Sequence, residues 1–162
     1  MEFGDLAKLA AHFAALEVAE IKSLEHGLKV CAEQIEKTAK EEIGHYQSAV
    51  GPYPAWSPLA ESTEEQKAKK GYPANSPLLA SGEMQKSIQN EVSGLTAIIG
   101  STDKKMVYHE FGTVRIPPRP VIGPAAYRNK EFILKTIGEA AVVGIVGGEP
   151  IVTGKQIGRA HV

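Results

Sequence analysis

The feature that most constrains this fold is a long stretch free of proline. From Leu6 to about Gln47, the residues Leu6, Leu9, Phe13, Leu16, Ile21, Leu24, Leu28, Cys31, Ile35, Ala39 and Ile43 recur mostly every three or four positions. Glu and Lys fill the intervening positions, and the first proline is Pro52. That spacing lays the apolar side chains along one face of an α-helix, and Asp5 stands where an N-cap belongs. At 1.5 Å per residue an unbroken helix over this span would reach ~60 Å. A compact chain of 162 residues has a radius of gyration of ~15 Å and is only ~40 Å across. The helix must therefore break, or project and pack against something outside its own domain. Gly27 is the expected breaking point, and the five-residue skip from Leu16 to Ile21 is a second weak point. We expect a long helix at the edge of the fold, with any bend at Gly27.

The length suits a single domain, 1–162, large enough to fold without disulfides or a structural metal. A hydrophobic share of 43% and a charged share of 23% are ordinary globular values. The one cysteine, Cys31, excludes an internal disulfide framework, fits a reducing compartment, and lies on the helix's apolar stripe as a small buried hydrophobe. The first residues are acidic where a secretory signal would be basic, and no run nears the ~18 apolar residues of a spanning helix. The expectation is a soluble protein made in the cytoplasm, with no membrane partner.

Charge divides along the chain. Residues 1–50 carry 9 acidic and 5 basic side chains, residues 51–100 carry 5 and 4, and residues 101–162 carry 5 and 9. The overall net charge of −1 supplies no general attraction to nucleic acid or acidic membranes. An acidic end and a basic end in one chain suit either two solvated faces or head-to-tail contacts between copies.

Beyond the N-terminal helical region (1–50), residues 51–82 form a Pro/Gly-rich loop. A short polar helix interrupts it at about Ser62–Lys70, opened by the capping-box spacing Ser62-Thr63-Glu64-Glu65. Tyr53-Pro54-Ala55-Trp56-Ser57-Pro58-Leu59 is echoed by Tyr72-Pro73-Ala74-Asn75-Ser76-Pro77-Leu78, which reads as two similar turns in which Ser-Pro starts a helical turn. Trp56 either anchors this loop on the core or meets another subunit. Residues 83–152 form an α+β core. A short helix over Leu78–Lys86 leads to a hairpin of Ser87–Val92 and Leu95–Gly100 about Ser93-Gly94. Lys104–Phe111 is helical and ended by Gly112 as a left-handed cap, and Thr113–Ile122 is extended because Pro117, Pro118 and Pro120 exclude helix. Pro124 opens a second strong helix through about Val143, with Tyr127, Phe132, Leu134, Ile137 and Ala141 buried. Ile151-Val152 adds one strand, and 153–162 is a loose tail whose origin, native or appended, the sequence leaves open.

Catalytic motifs are sparse. There is no His-Glu-x-x-His, Gly-x-Ser-x-Gly or Gly-x-Gly-x-x-Gly. Gly148 to Gln156 has one residue too many between its glycines for a phosphate loop and follows a helix rather than a strand. His109-Glu110 is the only local acid–base pair, and adjacent helical residues diverge by about 100°. Histidines 12, 26, 45, 109 and 161 show no ligand spacing, so neither a metal nor a cofactor is expected. Arg115, Arg119, Arg128 and Lys130 form a basic stretch without interleaved aromatics. Specific base reading is therefore not expected, and the charge balance suits acidic patches on a neighbouring subunit better than unspecific contact with a phosphate backbone.

Two stretches of the C-terminal half carry a family likeness. Leu78-Leu79-Ala80-Ser81-Gly82-Glu83-Met84-Gln85-Lys86-Ser87-Ile88 resembles the lead into the hairpin of a family of tailed-bacteriophage virion morphogenesis proteins, the neck or tail-completion proteins. Tyr108-His109-Glu110-Phe111-Gly112-Thr113, followed by Ile116-Pro117-Pro118-Arg119-Pro120-Val121 and Gly123-Pro124-Ala125, resembles the same family's turn, Arg-Pro arm and C-terminal helix. Val121 stands where a Phe is common. The resemblance covers about residues 56–142 and implies an α+β fold. In that fold a long N-terminal helix and a C-terminal helix pack on a small antiparallel sheet built round a hairpin, with a long irregular Pro-rich middle loop. It implies a structural virion protein that joins head to tail rather than an enzyme, with a tail-terminator or minor tail protein as the alternative. A small hydrolase and a phosphate-backbone binder are the readings from other classes. The implied partners are further copies in a ring and other head-completion and tail proteins, with DNA passing non-specifically through the lumen. The implied location is the head–tail junction or tail end. Tyr108, Glu110, Phe111, Gly112, Thr113, Arg115, Arg119 and Pro120 are the motif and interface candidates.

Overall fold

The computed structural model describes residues 6–146, so the expected Asp5 cap, the Ile151-Val152 strand and the 153–162 tail lie outside the described residues. The elements in chain order are α1 (Leu6–Glu42), α2 (Glu61–Lys69), α3 (Glu83–Lys86), β1 (Ile88–Ser93), β2 (Thr96–Ser101), α4 (Lys105–Phe111), α5 (Ile122–Arg128) and α6 (Lys130–Val146). The fold is α+β, with long N- and C-terminal helices and one two-stranded antiparallel hairpin. None of the described helices is long and apolar enough to cross a membrane.

Helix α1 runs unbroken for 37 residues, so Gly27 is not the expected breaking point. A Cβ on Gly27 would lie 2.8 Å from the Cβ of Ala140. The glycine is there for close helix–helix approach, at a propensity cost of ~1 kcal/mol.

The described residues divide into two compact units, one of residues 6–31, 92–97 and 131–146, the other of residues 32–91 and 98–130. In the first, α6 packs on α1 through small side chains. Thr136, Ala140 and Gly144 are its buried residues, four apart and so on one face. A Cβ on Gly144 would come within 2.5 Å of the Glu20 Cα, and the Ser23 hydroxyl donates to the Ala140 carbonyl at 2.6 Å. Cys31, 2% exposed, bonds Thr136, and burial pushes its thiol pKa up. Phe132 and Leu134, expected inside, are exposed instead, and Ile137 and Ala141 are only half-buried. Close contact along a small-residue stripe moves the larger side chains of the same helix to its flanks and outer face. Leu6 and Phe13 of α1 are also exposed.

In the second unit, Ile35, Ala39 and Ile43 are buried, together with Trp56, Met84, Ile88, Met106, Val121 and Ala125. The single helix expected from Pro124 to Val143 is instead two, because the chain breaks at Asn129. Its backbone N–H turns to Ala126 O at 3.2 Å, while its side-chain amide donates to Ala125 O, the acceptor that a continuing helix would use. The same amide donates to the Thr38 hydroxyl at 2.8 Å, and its oxygen accepts from Gln34. Tyr127 is exposed rather than buried.

Three local expectations are corrected. The Ser62–Glu65 capping box does not form: α2 starts at Glu61 on Ala60, whose carbonyl takes the N–H groups of both Thr63 and Glu64. The helix expected over Leu78–Lys86 shrinks to the turn of α3, because Leu78 has φ +62°, outside the right-handed region. The echoed segments are not equivalent, since Trp56 is buried while Asn75 is exposed, and a Ser76–Leu79 turn forms only around the second Ser-Pro. The hairpin stands one residue later than expected, on Gly94-Leu95. The φ of +55° at Gly94 fits the first central position of a type II′ turn, whose twist matches that of the strands.

Candidate functional site

The segment carrying the family likeness begins on α4, which divides by helical spacing into three faces. Met106 and Glu110 face the interior, Lys105 and His109 share a second face, and Val107, Tyr108 and Phe111 share a third. Met106 is buried, whereas Tyr108 is 53% and Phe111 79% exposed.

Gly112 then turns the chain. Its φ of 73° with ψ of 173° is not the expected left-handed cap but a region that only glycine occupies without strain. A Cβ there would lie 3.0 Å from Ile116 O and from Pro118. Beyond it the chain is not uniformly extended, as the prolines led one to expect. Thr113 and Ile116 close a tight turn, with Thr113 N–H donating to Ile116 O at 2.8 Å. The Thr113 hydroxyl accepts from the N–H groups of Arg115 and Ile116. Val114 and Arg115 at this turn are exposed.

Three side chains hold the segment in place. The Glu110 carboxylate accepts from the N–H groups of Val121 (2.7 Å), Ile122 (3.3 Å) and Gly123 (3.2 Å), and so caps α5. Arg119, 5% exposed, donates through Nε and Nη2 to Ser57 O and through Nη2 to Pro58 O. Its backbone N–H donates to His109 O at 2.6 Å. Trp56 donates from its indole N–H to Pro120 O at 3.1 Å, which resolves its role as the anchor of the middle loop. The eight candidates thus separate. Glu110, Gly112, Arg119 and Pro120 are used inside their own unit, while Tyr108, Phe111, Thr113 and Arg115 are exposed. Arg119 and Pro120 are therefore structural here rather than a free contact surface.

Electrostatics follow burial. Desolvation lowers the Arg119 pKa, with Tyr46 opposing. Desolvation, reinforced by the Arg119 charge and opposed by Asp103, lowers that of His109, which favours the neutral imidazole. The His109 Nδ1 is buried without a hydrogen-bond partner. With the Glu110 carboxylate occupied by α5, the two members of the expected acid–base pair are assigned to different surroundings.

Sequence reasoning missed Glu42, which sits in the charged register of α1 like any solvated glutamate. It is 4% exposed, and neither carboxylate oxygen has a hydrogen bond. Burial pushes its pKa up to about 7, with Arg128 lowering it and Glu110 raising it. The Arg128 guanidinium lies 3.4 Å away and also donates to the Gln47 side chain and to Ser48 O. Arg128 is thus committed within the unit.

Compared with known proteins, the chain matches no family model, no curated protein and no solved structure.

Proposed function

We propose that this chain is a structural protein of a tailed-phage or prophage virion that joins head to tail. It acts as a homo-oligomeric ring among other head-completion and tail proteins and carries no chemistry of its own. The observation that supports this reading is the division of labour in the segment resembling that family. Glu110, Gly112, Arg119 and Trp56 hold the turn from behind, and Val107, Tyr108, Phe111 and Val114 are left bare in front. An apolar corner already fixed in shape loses little entropy on docking, which favours a contact surface. The unequal charge of the two ends of the chain suits the heterologous interface of a ring.

The test is genetic. Deleting the coding sequence from an inducible phage that carries it should leave filled heads and unattached tails in negative-stain images. Phe111→Asp, at an exposed position, should fold with an unchanged melting temperature and fail to restore plaques. Full restoration would remove the corner from the argument, and joined heads with tails of aberrant length would move the chain to the tail end. Native mass spectrometry over a concentration series reads ring formation directly.

A further inference from the structure

On the second face of α4, Lys105 and His109 border a cavity of about 500 Å³, a volume in the usual range for ligand sites. Its apolar lining comes from Leu59, Leu78, Leu79, Met84 and Ile116. Its charged lining comes from Lys67 of α2, Lys105 of α4, and Arg115 and Arg119 of the segment that follows, against two carboxylates, Glu83 and Asp103. Among the described residues, none of these four cations lies within ion-pair distance of a carboxylate. Lys67 donates to Ser76 O, and the Arg119 guanidinium donates to the carbonyls of Ser57 and Pro58. A guanidinium 5% exposed without a counter-charge is costly to hold. His109, whose Nδ1 is buried without a hydrogen-bond partner, lines the same wall. The wall also contains Leu78, kept at φ +62° where a side-chain-bearing residue is strained.

From this geometry we infer that the cavity is a binding site for an acidic, apolar peptide segment of a partner protein, its carboxylates meeting Lys67, Lys105 and Arg115, with the buried Arg119 charge behind them, and its apolar side chains filling the floor between them. Cations supplied by three separate chain segments match several carboxylates spaced along a strand better than the single headgroup of a fatty acid. The five apolar side chains and the two acidic ones argue against a nucleic-acid backbone, which would leave the former unmatched and be repelled by the latter. The inference does not rest on the proposed role in a virion, because any partner with this chemistry would satisfy it.

The probe is the capped pentapeptide Glu-Leu-Asp-Phe-Glu, with its uncharged counterpart Gln-Leu-Asn-Phe-Gln, decanoate and a short DNA duplex as comparators. Calorimetry on the whole chain should show saturable binding of the acidic peptide that weakens with salt. The uncharged peptide should bind at least tenfold more weakly. In ¹⁵N-resolved spectra the His109 imidazole signals should move on titration. The double variant Lys105→Gln, Arg115→Gln should keep the wild-type unfolding curve and lose binding at least tenfold. Equal affinity for the two peptides, undiminished binding by that variant, or binding of decanoate or DNA in preference to the acidic peptide would each overturn the inference.

Discussion

Replacing Glu42 with glutamine should stabilise this protein, and the gain should depend on pH. The carboxylate is 4% exposed and lacks hydrogen bonds, and burial raises its pKa from 4.5 to about 7. A group whose pKa is higher folded than unfolded binds protons preferentially in the native state. Its stabilising contribution is complete below 4.5 and is lost as the pH rises through about 7. At ~1.4 kcal/mol per pH unit, that range corresponds to about 3 kcal/mol. The amide introduced by Glu42→Gln never ionises, and Arg128 would keep Gln47 and Ser48 as partners. The two proteins should therefore be about equally stable at pH 4.5, and Glu42→Gln should lead by about 3 kcal/mol at pH 8. His109 acts in the opposite sense. Its lowered pKa makes stability fall as the pH drops below 6.5, its unperturbed value, but this contribution is common to both proteins and cancels in the difference. Urea unfolding from pH 4.5 to 8.5, followed by the fluorescence of the single tryptophan, buried Trp56, measures it. A difference independent of pH, or a less stable Glu42→Gln at pH 8, would refute the reasoning.

Four further substitutions test the packing. Gly144→Ala drives a Cβ to 2.5 Å from the Glu20 backbone and should cost about 1–3 kcal/mol, whereas Gly138→Ala meets nothing within 4 Å and should gain about 0.5–1 kcal/mol from helix propensity. Opposite shifts in thermal midpoint would separate close packing from propensity in the same helix. Gly112→Ala, at a φ,ψ pair reserved for glycine and with Ile116 and Pro118 in the way, should lose about 2–3 kcal/mol in urea unfolding. Glu110→Gln retains one acceptor oxygen for three N–H donors and should lose about 1–2 kcal/mol, with faster amide exchange at Val121 to Gly123 as its signature.

What the sequence determined by itself is what a few neighbouring residues can encode. The proline-free apolar period specified α1, the Gly94 turn specified the hairpin to within one residue, and a helix ending near Gly112 was readable from α4. Each depends on backbone preferences and side chains within a turn or two of one another. Tertiary structure decided the rest. The break at Asn129 needs Gln34 and Thr38, more than 90 residues away in the chain. The buried face of α6 is its small-residue stripe because α1 comes close enough to exclude larger groups, which hydrophobic period alone cannot foretell. Arg119 and Arg115 look alike in sequence, yet the carbonyls of Ser57 and Pro58, about sixty positions earlier, bury the first while the second stays exposed. Glu42 was legible only as a helix-surface carboxylate. Its raised pKa comes from the protein packed around it, with Arg128 and Glu110 brought close by folding. The physical reason is common to all four cases: local propensity depends on residues near in the chain, whereas burial and charge environment depend on residues near in space.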